Sequence, residues 1–427
     1  MMRRPLFFTM VMLFAASFAN GQDTRVSDQA EQIKALLARV ERLEKQVAEL
    51  KDAQVASAAP GAPAAATPVN PAPSAQPSVQ PARESQTQTA QGTVRQLETQ
   101  YPSLQIRGFG DVDFSATDQK GTNSGFNLGE LDLHFASALS RKISYFAEVT
   151  FNAQPTGYTL EVERNFIRYD YNDYFKLSFG RYHTPIGYWN TAFHHGTWLQ
   201  TTVDRPNMVM DGGTFTPIHT VGFLAEGNIP SGGLGLSYNV GVGNGRGALI
   251  ERPGDAGDTN NNRAWVAKLF ARPAKAYGLE LGGSVYRDKI TLPTGPEYRE
   301  WIYSAYLTWT KGAPEFLGEF ENVNHRNIAT NAVANSDAFY TQVAYRLPWF
   351  EKSVKPYYRF EYTHMPLSEQ VFAYQPRVES IAGLRYDISS FAAFKLEYRH
   401  LASHAAQGGN PAQPAVNGVF LQTAFTF

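Results

Sequence analysis

The chain of 427 residues contains no cysteine. That absence excludes a disulfide scaffold, a zinc ribbon, an iron–sulfur protein and a thiol nucleophile. Charge is sparse at 18% of residues, and 38 basic against 39 acidic residues leave a net charge of −1, without the basic footprint of a nucleic-acid binder. Long apolar runs are missing as well. Beyond the extreme N-terminus no stretch of 18 apolar residues exists, so a membrane-spanning helix is excluded. What is abundant is aromatic and small: 28 Phe, 22 Tyr and 6 Trp make 13% of the chain, beside 35 Gly. This composition points to a large all-β protein.

Four segments follow one another. Residues 1–21 read as a secretory signal, with Arg3 and Arg4 at the charged start, Leu6 to Phe18 apolar, and Ala19-Asn20-Gly21 as a small-residue exit. The apolar part is too short for the rival reading, a membrane anchor. Residues 22–54 carry a heptad seam: Ile33, Val40 and Val47 recur every seven, each followed three residues later by Leu36, Leu43 or Leu50, with Arg39, Glu41, Arg42, Glu44 and Lys45 on the flanks. This predicts a short coiled coil on the periplasmic side, or alternatively one amphipathic helix lying on another surface. Three heptads are few, so other contacts must hold any assembly together. Residues 55–101 are Ala, Pro, Ser, Gln and Thr, including Pro60, Pro63, Pro68 and Pro71; they form an extended, disordered spacer with no chemistry assigned.

From residue 102 to 427 short alternating segments recur about every 20 residues, between turns of Gly, Asn, Asp, Pro and Ser. Sixteen can be counted, from Leu104–Ala116 to Val416–Phe427. An even number of such strands predicts a 16-stranded antiparallel transmembrane β-barrel. Trp301, Tyr303, Ala305, Leu307 and Trp309 share one face, and Phe394, Leu396 and Tyr398 oppose Lys395, Glu397 and Arg399. In a barrel the apolar set faces lipid and the polar set the lumen; a soluble sandwich would reverse the surroundings. Aromatics at segment ends (Tyr171, Tyr174, Trp349, Phe350), short turns alternating with longer loops, and a last strand closing on Phe425 and Phe427 favour the barrel. Within Thr159–Asp170, Arg164, Phe166 and Arg168 compete with Glu163, Asn165 and Ile167, and no phase can be assigned.

The segment Leu177-Ser178-Phe179-Gly180-Arg181-Tyr182-His183-Thr184-Pro185-Ile186-Gly187 resembles the Gly-basic-aromatic-x-x-Pro-x-Gly hallmark of the porin O/P family, the phosphate-selective type of bacterial outer-membrane β-barrel. The resemblance implies a trimeric 16-stranded channel with a loop folded into each lumen after the hallmark strand. Asp204-Arg205-Pro206 is similar to the acidic-Arg-Pro stretch that follows the hallmark in that family. Asp211-Gly212-Gly213 departs from it, standing where the family has a basic position.

The residues themselves also predict an inward loop. Between Pro185 and Pro217 no alternation occurs, the interval is too long for an ordinary hairpin, and Tyr188, Trp189, Phe193, Trp198, Met208 and Met210 would be costly in water. Packing at a contact between subunits is the other explanation. Arg181, His183, His194, His195, Asp204 and Arg205 are the candidates for the constriction. Arg107, Lys268, Lys355, Arg359, Arg385, Lys395 and Arg399 are candidates for the lumen wall, opposed by acids such as Glu130, Glu148, Glu319, Glu361 and Glu397. From residue 102 onward basic residues number 28 and acidic ones 30, so the lumen is mixed in sign. The expected function is therefore a porin for small hydrophilic solutes, with anions such as phosphate among them. Its expected partners are outer-membrane lipid, further copies in a homotrimer, and the cell wall through the N-terminal region. Two alternatives are an outer-membrane hydrolase using His183, His194 or His195 as base, and a structural tether to the cell wall. No metal site or cofactor is read: adjacent His194 and His195 point apart, and no nucleophile motif accompanies Ser178.

Overall fold

The computed structural model describes residues 101–427 apart from 194–195, 211–214, 312–313, 373–375 and 406–411. The signal, the coiled coil and the spacer, Tyr101 excepted, lie outside the described residues, as do His194, His195 and Asp211-Gly212-Gly213. In chain order the strands are β1 (Ser103–Thr117), β2 (Gly125–Ala138), β3 (Ile143–Gln154), β4 (Gly157–Asn172) and β5 (Phe175–His183). After a long irregular segment come β6 (His219–Asn228), β7 (Leu236–Asn244), β8 (Ala264–Ala271), β9 (Leu279–Thr291), β10 (Glu297–Trp309) and β11 (Glu315–Asn327). The last five are β12 (Val333–Ala344), β13 (Val354–His364), β14 (Arg377–Asp387), β15 (Ala392–Ser403) and β16 (Val416–Thr426). Each sequence segment thus has its strand. Neighbours pair antiparallel throughout, and β1 closes on β16 in a register running from Phe109↔Thr426 to Thr117↔Gly418. Closure leaves no sheet edge, which a strand structure in lipid requires. The rings of Phe425 and Phe427 lie over Gly110 and Gly108 at this seam.

The two faces are inverted relative to a water-soluble protein. On β10, Tyr303, Leu307 and Trp309 are 49%, 38% and 44% exposed, whereas Glu300, Ser304 and Thr308 between them are buried. On β15, Phe394, Leu396 and Tyr398 are exposed while Lys395 and Glu397 are fully enclosed. An apolar outside around a charged inside is the pattern of a barrel in lipid. Tyr171 and Tyr174 at the β4–β5 turn, and Trp349 and Phe350 at the β12–β13 turn, are exposed at one and the same end, since both turns join an even strand to the next odd one.

The strand that could not be phased has a physical explanation. Glu148 pairs with Arg164 and Val149 with Val162, so Glu163 is an extra residue bulged out of β4. Before the bulge Tyr158, Leu160 and Val162 face outward; after it Ile167, Tyr169 and Tyr171 do. Glu163 and Arg164 therefore both turn inward, where Glu163 is buried and Arg164 pairs with Glu148.

Candidate functional site

The chain between β5 and β6 leaves the wall and folds into the lumen. Two hallmark glycines make the departure. Gly180 lies at φ 140°, and a Cβ there would overlap the carbonyl oxygen of Asn165 on β4. Regular alternation breaks at this point. Phe179 remains outside against Phe223, with ring centroids 4.5 Å apart, whereas Arg181 lines the lumen. Gly187 lies at φ 61°, and a Cβ there would overlap the Glu319 carboxylate. Its N–H donates to Ser304 Oγ at 3.1 Å, and its carbonyl accepts from Lys268 Nζ at 2.5 Å.

Beyond Gly187 a single helical turn, α1 (Trp189–Ala192), and a 3₁₀ turn (Asn207–Val209) are the only regular elements of the described loop. Their side chains make a core against one half of the wall. Ile186, Tyr188, Trp189, Met208 and Val209 pack with Tyr286, Ile302, Tyr306, Leu317 and Tyr340 from β9 to β12. Trp189 meets Tyr340 edge-on with centroids 5.7 Å apart, and the Arg359 guanidinium lies 5.8 Å from its ring centre. Burying these side chains is what holds an irregular segment inside a barrel; the external-loop alternative does not describe this chain.

An irregular segment so enclosed must find partners for its backbone groups. The wall charges supply them, split by sign. Carboxylates take N–H groups: Glu319 accepts from Tyr188 N at 2.8 Å and Trp189 N at 3.2 Å, Glu397 from Val203 N at 2.7 Å, and Glu361 from Asn207 N at 2.7 Å. Cations take carbonyls: Arg385 donates to Trp198 O at 2.8 Å and Gln200 O at 2.7 Å, and Lys395 to Thr197 O at 2.5 Å and Thr202 O at 2.7 Å. Arg359 donates to Asp204 O at 2.8 Å and Arg205 O at 3.3 Å, and Lys355 reaches Thr201 Oγ1 at 3.0 Å. Arg399 grips the Asp204 side chain at 2.5 Å. Enclosure raises the Asp204 carboxyl and this guanidinium more than offsets it, leaving the group below the usual carboxylate range.

The wall candidates therefore face the lumen, but Lys268, Lys355, Arg359, Arg385, Lys395 and Arg399 hold the loop rather than line open water. Arg107 shares their inward parity and stays exposed. Their alternation along the chain gave the face they occupy and not the loop they hold. It missed the role of the facing carboxylates for the same reason, since partners lie 81 to 198 residues apart in the chain.

The loop packs against the wall from β8 to β15, and a cavity of about 440 Å³ lies beside it. Leu128, Glu130, Gln154 and Glu161 line it from the wall, Thr197, Gln200, Asp204 and Arg205 from the inward loop, and Glu251 and Arg252 from the β7–β8 loop. Arg181 reaches it and so does His219. Of the constriction candidates, Arg181, Asp204 and Arg205 thus come together. His183 does not join them: it is buried, 3.5 Å from Glu148 and 5.2 Å between ring centres from His219. Asp132, His134 and Glu148 bring ligand-type atoms within 4.8 Å of one another; the His134 ring bridges the two carboxylates at 3.1 and 2.8 Å, and Arg164 pairs with the second oxygen of Glu148. The β7–β8 loop, expected from sequence as one of the longer loops but not as part of the opening, is rooted by Arg246, whose guanidinium meets Glu300 at 3.0 Å and donates to Phe215 O at 2.9 Å. The signal was present in its length and in Arg252 and Asp255, without anything to fix its direction.

Comparison with known proteins agrees with this architecture. Residues 104–287 match the family model described as phosphate-selective porin O and P. No curated protein matches. Among solved structures, an anion-selective porin from Comamonas acidovorans is similar at 11% identity and TM-score 0.56, over 76% of this chain and 100% of that one. The outer membrane channel DcaP of Acinetobacter baumannii is similar at 14% identity and TM-score 0.54, over 76% and 97%. A trimer form of OmpT, an outer membrane protein of Vibrio cholerae, is similar at 13% identity and TM-score 0.52, over 77% and 100%. The match over residues 104–287 takes in the hallmark strand and the whole inward loop, so this part of the chain is similar to the porin O and P family, and that similarity together with the closed 16-stranded barrel makes the protein an outer-membrane channel.

Proposed function

We propose that the opening beside the inward loop is the permeation path, and that small hydrophilic solutes diffuse through it. The observation that carries this reading is the segment Thr184–Ile218 itself, seated in the lumen by wall charges and leaving a passage of about 440 Å³ lined by polar groups. Such a passage admits molecules of a few heavy atoms and excludes folded chains. Arg181, Asp204 and Arg205 are its constriction residues. A hydrolase is not favoured, because the family is one of channels and the inward carboxylates and cations are engaged with the loop.

The barrel works as a homotrimer, supported by the trimer form known for the similar Vibrio cholerae protein. With it we propose a periplasmic coiled coil over residues 22–54 and contact of the N-terminal region with the cell wall; the heptad seam of Ile33, Val40 and Val47 supports this. The test is reconstitution of the full-length protein in a planar bilayer. Stepwise openings are expected, and a protein that inserts as a folded barrel without passing current refutes the channel.

A further inference from the structure

The charges around the opening are already matched to one another. Arg181 is ion-paired with Asp255 of the β7–β8 loop and lies 3.8 Å from Glu163. Arg252 of the same loop is ion-paired with Glu161 on β4. Arg205 lies 3.8 Å from Glu130 on β2, and Asp204 is held by Arg399. His219 meets Glu163 at 2.9 Å. Among the described residues of the lining, Glu251 is the one charge without an ion-pair partner.

These pairs are built in rather than chance surface contacts. Arg246, 1% exposed in its side chain, fixes the root of the β7–β8 loop, and its N–H donates to Asp288 Oδ2 at 2.8 Å. A loop rooted in this way carries Arg252 and Asp255 across the mouth to their partners on β4 and β5. An exposed ion pair adds little stability, but it removes two charges from the field in the pore.

We infer that the constriction is self-neutralised, with no anion site among its described residues, and that its substrates are small neutral and zwitterionic polar solutes. This rests on the reading of the opening as the permeation path. An anion-selective passage needs a surplus of positive field at its narrowest part, and a phosphate ion gives up its hydration only to several uncommitted donors. Here each arginine of the lining would have to leave a carboxylate first, and the unmatched charge is negative. The neutral groups that remain, Gln154, Thr159, Thr197 and Gln200, offer both donors and acceptors to hydroxyls, amides and zwitterions.

The experiment measures the reversal potential of the full-length protein in a potassium chloride gradient, with and without millimolar phosphate, alongside the double variant Glu130→Gln/Asp255→Asn. Both proteins are first checked as folded barrels by heat-dependent gel mobility; if the double variant does not fold, Asp255→Asn alone serves. For the wild type, cation-to-anion permeability within about threefold of unity is expected, with no phosphate block. The double variant removes one carboxylate from Arg181, which keeps Glu163, and one from Arg205, and is expected to move the ratio at least about threefold toward anions. A wild type that prefers anions by about tenfold, or is blocked by phosphate, overturns the inference, and so does a folded variant with unchanged selectivity. Absence of any current counts instead against the channel reading.

Discussion

Removing the Glu319 carboxylate tests whether wall charges hold the loop. Glu319 is buried and accepts from Tyr188 N, from Trp189 N and from the Tyr340 hydroxyl at 2.9 Å. Glu319→Ala leaves three enclosed donors without an acceptor, each worth about 1–3 kcal/mol. Water entering the vacated space returns part of that, so the lower figure of about 3 kcal/mol is the safer one. Even so, the ratio of seated to unseated loop falls by about a hundredfold. Glu319→Gln keeps the shape and one acceptor while turning an amide donor toward other donors, so its effect should be intermediate. The assay is single-channel conductance, since an unseated loop widens the passage beside it. We expect larger and noisier openings in the order Ala, Gln, wild type, together with faster proteolysis within residues 184–218. If a folded Glu319→Ala barrel conducts and resists protease like the wild type, the carboxylate does not hold the loop and the reasoning fails.

Trp189→Ala removes the centre of the loop's core and should cost about 3–5 kcal/mol, read as a lower thermal transition of the folded barrel. Gly180→Ala places a side chain at φ 140° against the Asn165 carbonyl; a strain of about 1–3 kcal/mol plus the overlap should reduce the yield of folded barrel in outer-membrane fractions, and normal yield would count against the hinge. Asp204 is lowered by Arg399, so its contribution is complete above the free carboxylate value of about 3.9 and is lost as pH falls through the lowered one; channel noise should rise below about pH 4 and lose that dependence in Asp204→Asn. Deleting residues 22–100 should leave a trimer in mild detergent, because three heptads are too few to carry the assembly; a monomer would assign that role to the coiled coil.

The strands were legible in the sequence because lipid outside and charge inside impose a strict period of two, and all 16 segments match a strand within a few residues. The period also explains where legibility ended. At Glu163 one extra residue reverses the parity, and with charged residues on both sides of the bulge the pattern cannot report the reversal. The inward loop was legible from Tyr188, Trp189 and Met208, side chains too apolar for water in a segment too long for a hairpin. The partners of its backbone were not, since a contact between Lys395 and Thr197 leaves no local trace. The role of Arg181 was half legible: its hallmark position placed it at the opening, but Asp255, which matches its charge, lies on a loop whose direction only the fold determines.

The mixed signs of the wall residues that contact the loop follow from the loop itself. A peptide segment presents one N–H and one C=O at almost every residue, so a wall that satisfies it needs acceptors and donors in similar number. Glu319, Glu361 and Glu397 meet the first need and Arg359, Arg385 and Lys395 the second, with both kinds on neighbouring strands. The wall cations and carboxylates so engaged are committed to holding a polypeptide. Selectivity for an anion would have to come from cations beyond these, at the opening, unmatched. In this chain the unmatched charge among the described lining residues is the carboxylate of Glu251, and the arginines there already face acids.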